Sequence, residues 1–158
     1  MPQTEPIVNE RGEQLLSVLS IAESDLHSVA PVTFSLVIAR SEHRFLLIFN
    51  RRRKMWELPG GMIDPHESAR ECAERELAEE TCQSFLSLRW LGVIELATGV
   101  NHADTRSPVE YGALFCGDVI ARDAVVKNEE VEEIGFFSGD SLPPNVSSID
   151  RYLLSLCR

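Results

Sequence analysis

Nothing in this sequence is long and apolar enough to cross a bilayer. The longest apolar runs, such as Leu36-Val37-Ile38-Ala39 and Phe45-Leu46-Leu47-Ile48-Phe49, fall far short of the roughly 20 residues that a helical span needs. The first residues, Met1 to Arg11, are polar and contain proline, and they lack the apolar core of a secretory signal. Cysteine is scarce: Cys72, Cys82, Cys116 and Cys157 are the four in the chain. None forms a C-x-x-C pair and no Cys/His cluster has zinc spacing. Reduced thiols are therefore expected, and with them a soluble cytoplasmic protein with no membrane partner. Positive charge is also in deficit, with 15 Lys and Arg against 25 Asp and Glu, a formal net charge of -10. A duplex nucleic-acid binder needs a basic footprint, so that class is excluded. Two readings of the acidity stay open: carboxylates gathered around cations, or plain solubility. Internal repeats and low-complexity segments are absent.

What is present is a chain of 158 residues with 44% hydrophobic residues, enough for one domain with its own core. Gln14 to Ala22 is apolar-rich and reads as either a short helix or a strand. Val32 to Ala39 and Phe45 to Phe49 read as a β-hairpin around Ser41-Glu42-His43. Met55 to Leu58 is a brief extended piece closed by Pro59-Gly60-Gly61. Further strands are expected at Leu88 to Leu96, Tyr111 to Ile120 and Ile134 to Phe137, with a polar loop over Ala97 to Pro108. Pro143-Pro144-Asn145 opens a last helix carrying Val146, Ile149, Leu153 and Leu156 on one face. Strands mixed with two or three helices give the fold class: α/β (α+β), a sandwich around a mixed sheet.

The stretch from Ser68 to Thr81 carries most of the chemistry. Ser68 and Glu71 form an S-x-x-E capping box, and good helix formers follow. On a wheel of about 100° per residue, with Ala69 at zero, Ala73, Leu77 and Cys72 fall on one inward arc. Glu76, near 340°, Glu80, near 20°, and Glu79, near 280°, share that arc by the same rule. A helix needing only solubility would turn its acids outward. Carboxylates at this spacing repel one another, and partial burial sharpens the repulsion. A hard divalent cation removes the conflict, since Mg²⁺ takes oxygen ligands and is typically held by one or two carboxylates plus substrate phosphates.

Gly61 to Gln83 resembles the Nudix box, G-x5-E-x7-R-E-U-x-E-E-x-G-U, where U is a bulky apolar residue. Gly61, Glu67, Arg75, Glu76, Leu77, Glu79 and Glu80 all fall in register. Trp56-Glu57-Leu58-Pro59-Gly60 is similar to the family's approach to the box. Two positions depart: Cys82 stands where the family has glycine, and Gln83 where it has an apolar residue. The resemblance implies a Nudix-type α/β/α sandwich. It implies hydrolysis of a phosphoanhydride bond in a nucleoside diphosphate derivative, a nucleoside triphosphate being favoured over ADP-ribose or a nucleotide sugar, with Mg²⁺ or Mn²⁺ as cofactor. Position by position, it implies Glu76, Glu80, the carbonyl of Gly60, Glu79 and Glu67 as metal ligands, Glu79 also as a group activating water, and Arg75 as the residue that orients the glutamates. A general base outside the box is expected at Glu130 or Glu129, ahead of a Val131 to Phe137 strand. A non-catalytic nucleotide sensor on the same fold is the alternative, motivated by Cys82-Gln83.

Arg51 and Arg53, in the basic turn Arg51-Arg52-Arg53-Lys54, are candidates to bind substrate phosphate, as is the backbone at Gly61. The competing reading of that turn is a charged, solvated hairpin tip. Trp56 and Phe34 are read as core, with base stacking as the other option. His66 is read as solvated, and Cys72 as a small core residue. Asn101, His102 and Asp104 lie in a loop able to select substrate. The expected organisation is residues 1–30 as an extension packing on the core and 31–158 as the Nudix hydrolase domain. The implied partners are a small nucleotide and a second copy of the chain in a homodimer.

Overall fold

The computed structural model describes residues 6–28, 31–98, 108–123 and 128–157. In chain order the elements are β1 (Ile7–Val8), β2 (Gln14–Leu19), a 3-10 helix (Glu23–Ser28), β3 (Val32–Ser41), β4 (Arg44–Asn50), β5 (Met55–Glu57) and β6 (Gly60–Met62). After these come α1 (Ala69–Thr81), β7 (Phe85–Ala97), β8 (Val109–Val119), β9 (Val131–Ser138) and α2 (Ser148–Leu154). The strands form one mixed sheet in the order β1-β2-β7-β8-β3-β4-β5, with β6 on β3 and β9 on β4. β3 and β8 run parallel; the other pairings are antiparallel.

Successive side chains of a strand point to opposite faces, and here both faces are covered. Ile38, Leu47, Leu114 and Cys116 pack on one side with Ile149, Leu153 and Leu154 of α2. Their neighbours Val37, Ala39, Leu46, Ala113 and Phe115 pack on the other with Ala69, Ala73 and Leu77 of α1. Strands buried on two faces read as continuous apolar runs, as β3 and β4 do. This is the α/β/α sandwich around a mixed sheet that the sequence implies.

The sheet forks, and the fork positions the site. β3 and β4 pair with each other only beside their turn, at Arg40↔Phe45 and Ser41↔Arg44, where Glu42 and His43 both take positive φ as a two-residue hairpin turn requires. Farther along, β3 pairs instead with β6, through Phe34↔Met62, Ser35↔Gly61 and Leu36↔Gly60, while β4 pairs with β9. A cleft opens between the diverging strands.

Several expectations are sharpened or corrected. Gln14 to Ala22 is resolved in favour of a strand: β2 completes the sheet against β7 at Leu15↔Leu96 and Val18↔Ile94, so two strands from the expected extension belong to the same sheet. β7 and β9 begin earlier than their apolar patterns indicate, because main-chain pairing carries polar residues such as Ser87 and Glu133 into the ladder. The last helix starts at Ser148 rather than at the prolines. Asn145 is left-handed, with φ 62°, and its carbonyl accepts from the Trp56 amide while the Ser147 amide donates to the Trp56 carbonyl, so this segment is tied to β5 before a helix can begin. The reduced state expected of all four cysteines is also corrected: Cys116 and Cys157 form a disulfide with Cα atoms 6.3 Å apart, because the chain after α2 folds back beside β8. Cys72 is a buried free thiol, and Cys82 an exposed one. The loop residues Asn101, His102 and Asp104 lie outside the described residues. Among the described residues no helix is long and apolar enough to cross a membrane.

The two departures at the end of α1 have a local explanation. Cys82 caps the helix in the left-handed conformation, φ 57° and ψ 21°, its amide donating to the Ala78 carbonyl. Gln83 is buried, yet its amide group is fully engaged: Nε2 donates to the carbonyls of Thr81 and Arg122, and Oε1 accepts from the Arg122 amide. A left-handed residue with a Cβ costs about 1 kcal/mol relative to glycine. Cys82→Gly should therefore raise the melting temperature by roughly 2–4 °C for a domain of this size. A calorimetric scan showing no rise would place the cost elsewhere.

Candidate active site

The cleft in the fork encloses about 620 Å³. One wall is the Gly60-Gly61 strand and the exposed edge of α1; the others come from β3, β4, β7, α2 and the turn before β2. Helix α1 is pinned at its start by the reciprocal Ser68–Glu71 capping box. The Ser35 hydroxyl of β3 donates to the Ala69 carbonyl at 2.8 Å, and the Cys72 thiol, pushed up to about 11 by burial, donates to the carbonyls of Gly61 and Met62. These contacts set α1 close against β6. A Cβ on Gly61 would collide with the Glu76 carboxylate, and one on Gly60 with the Ser35 carbonyl.

Arg75 is the organising cation. Its guanidinium donates to both carboxylate oxygens of Glu67 at 2.6 and 3.0 Å, to Glu76 at 3.0 Å, to Glu79 at 3.2 Å and to the Met62 carbonyl at 3.0 Å. Asp64 approaches it at 3.3 Å. Beside this guanidinium, and with the Asp64 amide donating to it, Glu67 is held down at about 2, and Arg75 itself is raised. Glu76 moves the other way. Its partial burial outweighs the help from Arg75, and Glu79 and Glu130 add like charge, so its pKa rises.

Glu80 is 5% exposed. Its carboxylate accepts from the Gly60 amide at 2.8 Å. Burial pushes it up to about 8, and the negative charges of Glu76, Glu130 and Glu57 push the same way against that single amide. The Gly60 contact seen is thus through its amide. Glu79 is mostly solvent-exposed at its side chain. Glu129 and Glu130 both line the cleft, on a turn held by the Asn128 side chain, which accepts from the amides of Glu130 and Val131 and donates to the Glu79 carbonyl of α1.

The basic turn divides into three different environments. Arg51 is not among the residues lining the cleft and donates to the Val131 carbonyl. Arg53 lines the cleft but is bound to Glu57 through Nε at 2.8 Å and Nη2 at 2.7 Å, so its charge is already neutralised. Arg52, not singled out from sequence, lines the cleft and has no ion-pair partner among the described residues. The Asn50 carboxamide fixes the turn by accepting from the Arg52 and Arg53 amides. The difference in their surroundings is set by that turn and by Glu57, and no residue-level pattern in four consecutive cations reveals it.

Four further cleft residues, from two elements, also escaped sequence reasoning. Asn9, Arg11 and Glu13 line the cleft from the β1–β2 turn, and Asp150 does so from α2, where it accepts from the Leu58 amide at 2.9 Å. A contact between residues 92 apart leaves no local signal.

The cleft is strongly acidic: Glu13, Glu57, Asp64, Glu76, Glu80, Glu110, Glu129, Glu130 and Asp150 line it, against Arg11, Arg52 and Arg53. A polyanion could not enter such a site without cations. Among the described residues, no three His, Cys, Asp or Glu side chains stand close enough to form a complete metal cage. The donors nonetheless suit a hard cation that retains water and takes phosphate oxygens, since that arrangement needs one or two carboxylates rather than a cage.

Asp150 supplies a stability test. Burial, together with Glu57, pushes it up to about 7 from 3.8. The folded state therefore holds this proton more tightly than the unfolded chain. Its stabilising contribution is complete below pH 3.8 and is lost as pH rises through about 7. In the presence of chelator the protein should melt at a lower temperature near pH 8 than near pH 5. Asp150→Asn, which keeps an acceptor for the Leu58 amide, should flatten that slope; an equally steep fall in the variant would remove Asp150 as its cause.

Comparison with known proteins agrees with this geometry. The NUDIX domain family model matches residues 29–157. A curated relative from Bacillus subtilis (strain 168), provisionally named an 8-oxo-dGTP diphosphatase, is 41% identical over 108 residues, covering 68% of this chain and 66% of the relative, slightly under two thirds of its length. Among solved structures, the Bacillus subtilis pyrophosphohydrolase BsRppH, in a mutant form, superposes with a TM-score of 0.68 at 21% identity, covering 94% of this chain and 89% of that one. A MutT NUDIX hydrolase from Burkholderia pseudomallei superposes with a TM-score of 0.66 at 22% identity, covering 82% of this chain and all of the other. With the acidic helix, the glycine strand and the sandwich all in their expected places, the chain belongs to the Nudix family.

Proposed function

We propose that this protein hydrolyses a phosphoanhydride bond of a nucleoside diphosphate derivative, with a nucleoside triphosphate as the preferred class, in the presence of Mg²⁺ or Mn²⁺. The observation that carries the reading is the gathering of Glu67, Glu76 and Glu79 on the Arg75 guanidinium, next to buried Glu80 and the Gly60-Gly61 strand. The kinship with a relative named for diphosphatase action on an oxidised nucleoside triphosphate supports the choice of substrate class. An oxidised purine triphosphate is accordingly the first compound to try. A homodimer, implied by the family resemblance, and a cytoplasmic location, read from composition, belong to the same proposal, the Cys116–Cys157 disulfide being one that a reducing cytoplasm would open.

Glu76 and Glu80, with the backbone at Gly60 and with Glu67 and Glu79 in support, would hold the cation. When bound, it would neutralise phosphate charge and lower the pKa of an attacking water. Arg75 keeps the glutamates oriented through charge-assisted hydrogen bonds and, by holding Glu67 ionised, keeps that carboxylate free of a proton. Glu130, exposed on the turn before β9, would accept the proton of the attacking water, with Glu129 as the alternative beside it. Arg52 supplies an uncommitted positive charge to the phosphate chain, a role the sequence assigns to Arg51 and Arg53. The Gly61 backbone lies where it can approach a phosphate oxygen without a side chain intervening.

The deciding assay is phosphate and pyrophosphate release from canonical and oxidised nucleoside triphosphates, ADP-ribose, nucleotide sugars and dinucleoside polyphosphates, each with Mg²⁺, with Mn²⁺ and with chelator. Turnover should require the metal, and Glu76→Gln should reduce kcat by roughly 10²-fold or more while the protein stays folded. Metal-independent turnover, or a Glu76→Gln enzyme as active as the parent, would overturn the assignment. Folded protein that binds nucleotide yet turns over none of these compounds would instead make it a sensor.

A further inference from the structure

Part of the cleft wall is built by residues that precede the segment matched by the family model, residues 29–157. Asn9, Arg11 and Glu13 line it from the turn between β1 and β2. That turn is rigid by construction. Asn9 is 8% exposed; its Oδ1 accepts from the Arg11 and Glu13 amides at 3.0 Å each, and its Nδ2 donates to the Glu13 carboxylate at 3.0 Å. Gly12 takes φ +80°, a conformation in which its lack of a side chain is an advantage. The turn is also anchored at both ends. The Ser148 hydroxyl at the start of α2 donates to Glu10 at 2.7 Å, and Leu15, 3% exposed, sits in the core as β2 pairs with β7.

This places Arg11 and Glu13 at a fixed distance from the phosphate end. From β2 the sheet passes through β7 and β8 to β3, and β6, which carries Gly60 and Gly61, pairs with β3. Four strand spacings amount to about 19 Å measured along the sheet. The floor between them is apolar, made of Phe34, Leu36, Ile94 and Leu96. The Phe34 ring lies directly on Gly112, where any Cβ would collide with it, so the aromatic surface is held flat on the sheet. At the far end Arg11 and Glu13 form an ion pair. Their charges cancel, and they leave a cationic donor and an anionic acceptor side by side. Such a pair suits a flat, uncharged, hydrogen-bonding group better than a phosphate.

We propose that Arg11 and Glu13, presented by the N-terminal hairpin, form the wall that selects the nucleobase of the substrate, recognising a base edge on which donor and acceptor groups are adjacent. This rests on the nucleotide reading above. It assigns the hairpin a specificity role and leaves the hydrolytic machinery to α1 and β6.

The test uses the full chain and the variants Arg11→Ala and Glu13→Gln. Arg11 is half exposed, and glutamine at 13 keeps an acceptor for Asn9, so both should melt with the parent protein. Calorimetric affinities are measured, with Mg²⁺, for purine and pyrimidine nucleoside triphosphate analogues carrying a non-hydrolysable α,β linkage, and for inorganic tripolyphosphate. Loss of a hydrogen bond to a charged group is worth about 1.5–3 kcal/mol, or roughly 10- to 100-fold in affinity. The expected result is a loss of that size for the preferred nucleotide, a flattened preference between bases, and unchanged tripolyphosphate affinity. Unchanged nucleotide affinity and base preference in both variants would overturn the proposal, as would an equal loss for tripolyphosphate, which would mean that Arg11 contacts phosphate. Nucleotide binding that depends on Arg11 in a protein without turnover would sink the hydrolase reading and leave the hairpin's role standing.

Discussion

One guanidinium sets the character of the site. Arg75 reaches Glu67, Glu76 and Glu79 and, more distantly, Asp64, so carboxylates from a loop and from two turns of α1 share a single counter-charge. Without it, like charges at helical spacing would turn outward to solvent. With it, Glu76 can sit half-buried against Gly61, and Glu80 can go farther in, onto the Gly60 amide. The consequences for protonation run in opposite directions along one helix face. Glu67, paired and accepting an amide, stays ionised, whereas burial favours the protonated form of Glu80. A site that must bind polyanions through cations gains from this division, since some of its carboxylates are neutralised internally and others are left in need of positive charge.

The fork in the sheet gives this helix something to act on. Had β3 and β4 remained paired along their whole length, the surface beside Gly60 would be a continuous sheet with no cavity. Instead β3 exchanges partners, taking β6 where it leaves β4, and the gap is lined by side chains of both strands. Gly60 is needed there because the Ser35 carbonyl occupies the space of its missing side chain, and a Cβ on Gly61 would displace the Glu76 carboxylate from its place. Helix α2 closes the cleft from the other face, and the Asp150–Leu58 contact joins it to the residue two before Gly60. Packing on one face of the sheet is thereby connected to the acidic site that protrudes from the other.

Much of the architecture can be read from the chain because its causes are local. The capping box, the good helix formers and the placement of Ala73, Leu77, Glu76 and Glu80 on one arc all depend on residues within a few positions of one another, and α1 begins where Ser68 places it. The unbroken apolar runs of β3 and β4 reflect burial on both faces of the sheet. The left-handed exit at Cys82 and the fully bonded Gln83 show that two departures from the family pattern are accommodated within the same turn.

The sequence alone determined the acidic helix, the glycines before it, most of the central strands and the sandwich class, because hydrophobic period and capping chemistry act between near neighbours. Tertiary structure decided the rest. It made Gln14–Leu19 a strand by supplying β7 as a partner, and it delayed α2 to Ser148 by binding Asn145 and Ser147 to Trp56. It gave Arg51, Arg52 and Arg53 three different surroundings, through the Asn50 turn and the Glu57 carboxylate. It brought Arg11 and Asp150, from opposite ends of the chain, into one cleft. These outcomes turn on which surfaces meet when the layers close, and contacts between residues far apart in sequence leave no periodic trace in it.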